Sequence, residues 1–164
     1  MTVDQGRYQL AAIVADRAVL GAGVADQPQA HVVELAQGKA MVPVTTALIT
    51  AVAASGTAVV PPETGFWLLS PGVLQLLEDV SRAGPLAYLE ADYVGYDGRQ
   101  TAAVWEAGQL TDGPYILNRS EPFPRAGGGP IGAALRRLGV VAAGRRDEFV
   151  VLGLGQQRST EDWA

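Results

Sequence analysis

The segment 85–109 constrains the fold most, because it has the pattern of a β-hairpin. Two runs of apolar, aromatic and β-branched residues flank the dipeptide Asp97-Gly98. A two-residue type I′ loop needs positive φ at both central positions, and Asp-Gly adopts this conformation readily. The sequence therefore predicts a tight turn at Asp97-Gly98, which would place Glu90 opposite Trp105.

This pairing divides the hairpin into two unlike faces. The apolar face is expected to lie on the core and consists of Ala87, Leu89, Ala91, Tyr93, Ala102 and Val104. The other face mixes carboxylates with aromatic rings, and its candidate binding residues are Tyr88, Glu90, Asp92 and Trp105, which we call the acid–aromatic face. Because a buried sheet does not accept carboxylates without partners, this second face is the candidate site of the hairpin.

Three interpretations of the acid–aromatic face are open. Glu90 and Asp92 lie two residues apart on one strand, so their carboxylates project from the same side about 7 Å apart. They fit a solvated face, a surface that contacts a partner protein, or a pair used for acid–base catalysis or cation binding. The chain has no cysteine and a single histidine, His31. Since two strand carboxylates are too few ligands for a closed site, we expect no bound metal, and we expect no cofactor.

Composition limits the class of protein. A chain of 164 residues with 48% hydrophobic and 18% charged residues is typical of one globular domain, here residues 1–164. No apolar run is long enough to span a membrane. The net charge is −5 and the arginines form no basic stripe, so nucleic acid is not an expected partner. The first residues lack a basic region followed by an apolar segment, so we expect no signal peptide and a cytoplasmic location.

Local signals predict the remaining elements. Apolar periodicity with capping and stop residues predicts helices at 46–54, 71–83, 130–138 and 148–152. Short apolar runs predict further strands at 8–15, 31–35 and 40–44. Gly21-Ala22-Gly23 indicates a turn. The resulting prediction is a single α+β domain, in which an antiparallel sheet of about five strands carries helices packed on one face.

Two further segments carry candidate sites. The segment 111–129 is rich in proline and glycine and is predicted to be irregular; its end, Gly127-Gly128-Gly129, fits either a flexible loop or an anion-binding loop. The chain closes on R-S-T-E-D-W-A, and we expect this tail to be docked through Trp163. Arg158 is then a candidate partner for the tail acids or the strand acids, and it joins the predicted binding residues.

Three stretches together resemble a known type of sequence. They are the A-Y-L-E-A-D-Y strand, the Q-T-A-A-V-W strand and the tail D-E-F-V-V-L-G-L-G-Q-Q-R-S-T-E-D-W. They are similar to small, uncharacterised bacterial proteins in which a helix precedes this hairpin and a similar tail closes the chain. The likeness covers 66–163. Some proteins of this type look like immunity proteins of bacterial toxin systems, and the resemblance implies binding of a partner protein without catalysis.

The sequence thus predicts a non-catalytic cytosolic protein-interaction protein, an immunity or regulatory protein. Its acid–aromatic face would meet a basic partner surface. The alternative is a small hydrolase or metal-dependent enzyme that uses Glu90 and Asp92.

Overall fold

A six-stranded antiparallel sheet forms the centre of the molecule, with strand order β2-β3-β1-β4-β5-β6. The structure is a computed structural model that describes residues 6–57, 59–124 and 128–164. The strands are β1 (Arg7–Asp16), β2 (Val33–Glu34), β3 (Lys39–Pro43), β4 (Leu86–Val94), β5 (Asp97–Glu106) and β6 (Gln109–Leu117). The helices are α1 (Arg17–Gly23), α2 (Thr46–Val52), α3 (Pro71–Val80), α4 (Pro130–Arg137) and α5 (Glu148–Leu152), with 3-10 turns at Pro62–Thr64 and Thr160–Trp163.

The predicted α+β class is confirmed, but the helices cover both faces of the sheet and not one. A first core lies between the sheet and α1, α2 and α3, and includes Ile13, Leu77 and Tyr88. A second core lies on the opposite face beneath α4 and α5, and includes Leu89 and Leu135. Six consecutive residues of β1 are buried, because this central strand has a core on each side. Among the described residues, no helix is both long and apolar enough to cross a membrane.

The central hairpin forms, but its turn is not at Asp97-Gly98. Val94 pairs with Asp97, so the two loop residues are Gly95 and Tyr96, and Gly95 has φ +61°. Positive φ at the first central position is the arrangement of a type II′ turn, which favours glycine there. The predicted register is therefore wrong. Because the pairing moves by an even number of residues, the predicted division into two faces is confirmed.

The new register places Glu90 opposite Thr101 and Trp105 opposite Leu86. Gly98 then lies inside β5, directly opposite Tyr93. A Cβ atom on Gly98 would collide with the carbonyl oxygen of Asp92 and with the Tyr93 ring. Glycine is required here for close cross-strand packing.

All four predicted helices form, although three of them end before the predicted residue. Thr45, Ser70 and Asp147 act as N-caps, each accepting a hydrogen bond from a backbone N–H three residues on. A fifth helix, α1, occupies the predicted turn at Gly21-Ala22-Gly23. A Cβ atom on Gly23 would lie 2.7 Å from Val80, so this glycine allows α1 to approach α3 closely.

The outer strand β6 replaces the first part of the predicted irregular segment 111–129. Its residues pair with β5 as far as Leu117, with register shifts near Val104. Pro114 lies within β6 and is tolerated because proline, which cannot donate to a ladder, is confined to edge strands. At the other edge, β2 is two residues long.

Candidate functional site

Glu90 lies in the interior and fastens a loop to the sheet. Its Oε1 accepts hydrogen bonds from the backbone N–H of Trp67 at 2.7 Å and of Leu68 at 3.1 Å. Its Oε2 accepts a hydrogen bond of 2.6 Å from the Tyr88 hydroxyl. Glu90 therefore holds residues 65–69, which we call the covering segment, against the first core.

The environment of Glu90 favours its protonated form. Burial raises the pKa of the Glu90 carboxyl, while hydrogen bonds from Tyr88 and from backbone N–H groups act in the opposite direction. Burial and the nearby Glu90 charge also raise the pKa of Tyr88 well above its usual value. Both side chains are fully buried, so this hydrogen-bonded cluster is closed to solvent.

Asp92 is also paired within the chain. Its Oδ2 lies 2.8 Å from Nη2 of Arg119, and its Oδ1 lies 3.6 Å from Nε of Arg7. The neighbouring Arg99 stacks on the covering segment, with its guanidinium carbon 4.0 Å from the centroid of the Trp67 ring. The charge of Asp92 is thus balanced by arginines of the same fold.

The acid–aromatic face is therefore not an exposed surface, contrary to the expectation from sequence. All four of its residues, Tyr88, Glu90, Asp92 and Trp105, are buried. Phe66 of the covering segment packs on Tyr88 at 5.0 Å and on Trp105 at 6.2 Å between ring centroids. The partners that these carboxylates require come from the chain itself, namely backbone N–H groups for Glu90 and arginines for Asp92.

The predicted docking of the C-terminal tail is confirmed. Thr160 Oγ1 accepts a hydrogen bond of 2.9 Å from the backbone N–H of Ala11 in β1. Glu161 accepts one of 2.9 Å from the backbone N–H of Thr46, and Trp163 packs against the second core. The tail therefore packs against the second core, on the face of the sheet opposite the covering segment.

Arg158, the fifth predicted residue, lies apart from the other four and makes none of the expected ion pairs. It lines an open cavity on the side of the second core, next to Gly6. Its backbone carbonyl accepts a hydrogen bond from Gln9, but no carboxylate of the described residues lies within salt-bridge distance of its exposed guanidinium.

An open cavity lies beside Arg158. It has a volume of about 550 Å³, which is in the range of ligand sites in proteins. Five aromatic residues line it, and we call it the aromatic cavity: Tyr8, Tyr93, Tyr96, Phe123 and Phe149. Ala91 and Ile131 extend its apolar wall. Tyr96 is fully exposed and Phe123 is 51% exposed, so both rings present surface to solvent at the mouth.

Hydrogen bonds fix the inner wall of the aromatic cavity. The Tyr8 hydroxyl donates to the carbonyl of Leu154 at 2.8 Å. Gln100 donates from Nε2 to the Tyr93 hydroxyl at 3.0 Å and accepts from the backbone N–H of Ile131 at 2.9 Å. Because both tyrosine hydroxyls and the Gln100 amide are already bonded, the wall is preorganised and largely apolar towards a ligand.

Charged groups surround the mouth of the aromatic cavity. Arg158 and Asp147 line the cavity itself, and an adjoining groove that shares Tyr96 and Phe123 adds Asp97 and Glu121. Among the described residues that line the cavity itself there is no serine, threonine or histidine, whereas Ser120 lines the adjoining groove. Within the described ranges, no three histidine or acidic side chains are grouped as metal ligands. The residues that line the cavity offer aromatic, apolar and charged contacts to a ligand.

Sequence reasoning missed the aromatic cavity, apart from Arg158. Its residues come from positions between 6 and 158, and only the folded sheet brings them together. One signal was available, because Tyr96 lies in the hairpin turn, Tyr93 lies shortly before it, and Phe123 stands between two prolines. Residue 127 of the predicted glycine loop lies outside the described residues.

Comparison with protein-family models, curated proteins and solved structures finds no match to this chain.

Proposed function

We propose that the protein is a non-catalytic protein-interaction protein and that its binding site is the aromatic cavity. The predicted function is kept, but the predicted site moves from the acid–aromatic face to the opposite side of the sheet. An immunity or regulatory role, which the sequence resemblance implies, is the narrower form of this proposal.

The observation that supports the proposal is the open mouth of the aromatic cavity. Tyr96 and Phe123 stand exposed there, beside a preformed apolar wall. Interfaces between proteins are enriched in aromatic residues, and an apolar side chain buried in a preformed pocket often supplies much of the binding energy. An apolar side chain of a partner would enter the cavity and cover these rings.

Charge at the rim supports a basic partner surface. Asp97 and Glu121 line the groove that adjoins the cavity, and the chain has a net charge of −5. Exposed acids of this kind speed association with a partner of opposite charge. The basic residues of the partner would therefore lie around its apolar anchor, near Asp97 and Glu121.

The geometry favours binding over the alternative enzyme. Glu90 has no access to solvent and accepts hydrogen bonds at both oxygens, and Asp92 is paired with Arg119. A general acid or base has to reach the proton that it transfers in a bound substrate. Neither carboxylate is placed for that role.

Photo-crosslinking tests this proposal. A benzoylphenylalanine replaces Tyr96 at the cavity mouth, and in a control protein it replaces Val141, which is exposed and does not line the cavity. We expect a protein from the source organism to crosslink at position 96 and not at 141. The captured protein is then identified by mass spectrometry, purified and titrated against unmodified protein.

The titration decides the role of the cavity. Phe123→Ala should weaken binding of the purified partner about tenfold or more, since truncating an interface anchor typically costs above about 1.4 kcal/mol. Leu110→Ala is the control, because Leu110 is a similarly exposed apolar residue outside the cavity. Equal crosslinking at both positions, or equal affinity of both variants, would contradict the proposal.

A further inference from the structure

We propose that the group entering the aromatic cavity carries a carboxylate next to its apolar part, and that Arg158 binds this carboxylate. The inference rests on the proposed function and specifies the chemistry of the partner segment. An apolar side chain of the partner would fill the cavity, and an adjacent acidic side chain or chain terminus would meet Arg158.

Arg158 has the chemistry for this role. Its guanidinium presents planar N–H donors that match both oxygens of a carboxylate. It lies at the mouth of the aromatic cavity beside Gly6, where the absence of side-chain atoms leaves room for an approaching group. Because the described carboxylates leave this guanidinium unpaired, its charge is available to a ligand. The apolar wall lowers the local dielectric and strengthens such a contact.

The other charges near the cavity are already engaged in part. Asp147 accepts a hydrogen bond of 3.0 Å from the backbone N–H of Val150. Asp97 accepts one of 3.0 Å from the backbone N–H of Ser120, and Glu121 accepts one from Asn118. These acids would attract a cationic group, whereas Arg158 would attract an anion. The charge of the small molecule that binds most tightly therefore shows whether Arg158 or the acids determine which ligands the cavity prefers.

Three probes with the same phenyl-alkyl part separate these outcomes: phenylbutanoate, phenylbutanamide and phenylbutylammonium. Each is titrated into the protein by NMR, with the signals of Tyr93 and Phe149 as reporters of the cavity. We expect the carboxylate to bind about three- to tenfold more tightly than the amide, as for an ion pair that is partly shielded from water. The ammonium should bind most weakly.

Variants test whether Arg158 causes the preference for the carboxylate probe. Arg158→Gln should bind carboxylate and amide equally, while leaving affinity for the amide unchanged. Arg82→Gln is the matched control, because Arg82 is exposed near Gly108 and away from the cavity. The carboxylate preference should also shrink in about 1 M salt, where the Debye length falls to about 3 Å.

The failures are distinguishable. If all three probes bind equally, or if Arg158→Gln keeps the carboxylate preference, the inference is wrong but the cavity still accepts an apolar group. Tightest binding of the ammonium would overturn the inference in favour of Asp147. If none of the three probes binds, both the inference about Arg158 and the proposal that the aromatic cavity is the binding site are wrong. If phenylbutanoate binds while position 96 crosslinks to no protein, the cavity serves a free carboxylic acid and the protein-partner part is wrong.

Discussion

Replacement of Glu90 tests whether the buried acid holds the covering segment in place. In Glu90→Ala, the backbone N–H groups of Trp67 and Leu68 and the hydroxyl of Tyr88 lose their acceptor. In Glu90→Gln, the amide oxygen can still accept from the two N–H groups, and the amide nitrogen can donate to the Tyr88 oxygen. The two variants therefore differ mainly in whether the hydrogen-bonding groups of the loop remain satisfied.

The expected loss of stability follows from the number of hydrogen-bond donors that are left without an acceptor. Leaving one buried donor unpaired costs about 1–3 kcal/mol. Leu68 is 42% exposed, so water can reach part of the covering segment after it loosens. We therefore expect Glu90→Ala to lower the free energy of unfolding by about 3–5 kcal/mol, a large share of the 5–15 kcal/mol typical of a domain. Glu90→Gln should cost about 1 kcal/mol or less.

Urea unfolding measures the free energies, and hydrogen exchange of the Trp67 and Leu68 amides reports on the loop. Glu106→Ala is the control, because Glu106 is exposed at the end of β5. We expect faster exchange of both amides in Glu90→Ala but not in the control. The reasoning would be refuted if Glu90→Ala lay within about 1 kcal/mol of wild type, or if Glu90→Gln were equally destabilised.

Two further predictions concern pH and the tail. Because the folded-state pKa of Glu90 is raised from 4.5, the unfolded chain releases this proton first, so the contribution of Glu90 to stability declines as pH rises above about 4.5. The unfolding free energy of wild type should therefore fall relative to that of Glu90→Gln as the pH is raised above about 4.5, and a pH-independent difference would contradict this. Thr160→Ala should lower the free energy of unfolding by about 1–3 kcal/mol and speed hydrogen exchange of the Ala11 amide, because that N–H loses its acceptor. Thr57→Ala, at an exposed coil position, is the control and should change neither quantity.

The hairpin shows what sequence could and could not predict. Alternation alone assigned Tyr88 and Leu89 to opposite faces correctly, because the side-chain period of a strand is two. The turn was misplaced because the segment contains two glycines with different roles. Gly95 supplies positive φ in the loop, while Gly98 makes room for the Tyr93 ring. Local sequence does not distinguish these roles, since the second depends on a residue of the facing strand.

The burial of the acid–aromatic face had a similar cause. From its own sequence alone, a strand that carries Glu90 and Asp92 is predicted to expose one face to solvent. Their partners are backbone N–H groups about twenty residues earlier and an arginine 27 residues later. Capping signals are local, and Thr45 and Ser70 cap two of the helices that the sequence predicts. The aromatic cavity was missed because its wall combines strands, helices and tail.

The two edges of the sheet restrict how another chain can attach. A partner that added a strand beside β6 would meet Pro114, which has no N–H to donate, and the uneven pairing near Val104 twists that edge away from a regular ladder. Beside β2 it would find only two residues to pair with. Recognition by strand addition is thereby disfavoured at both ends, which also protects the protein against edge-to-edge aggregation at high concentration.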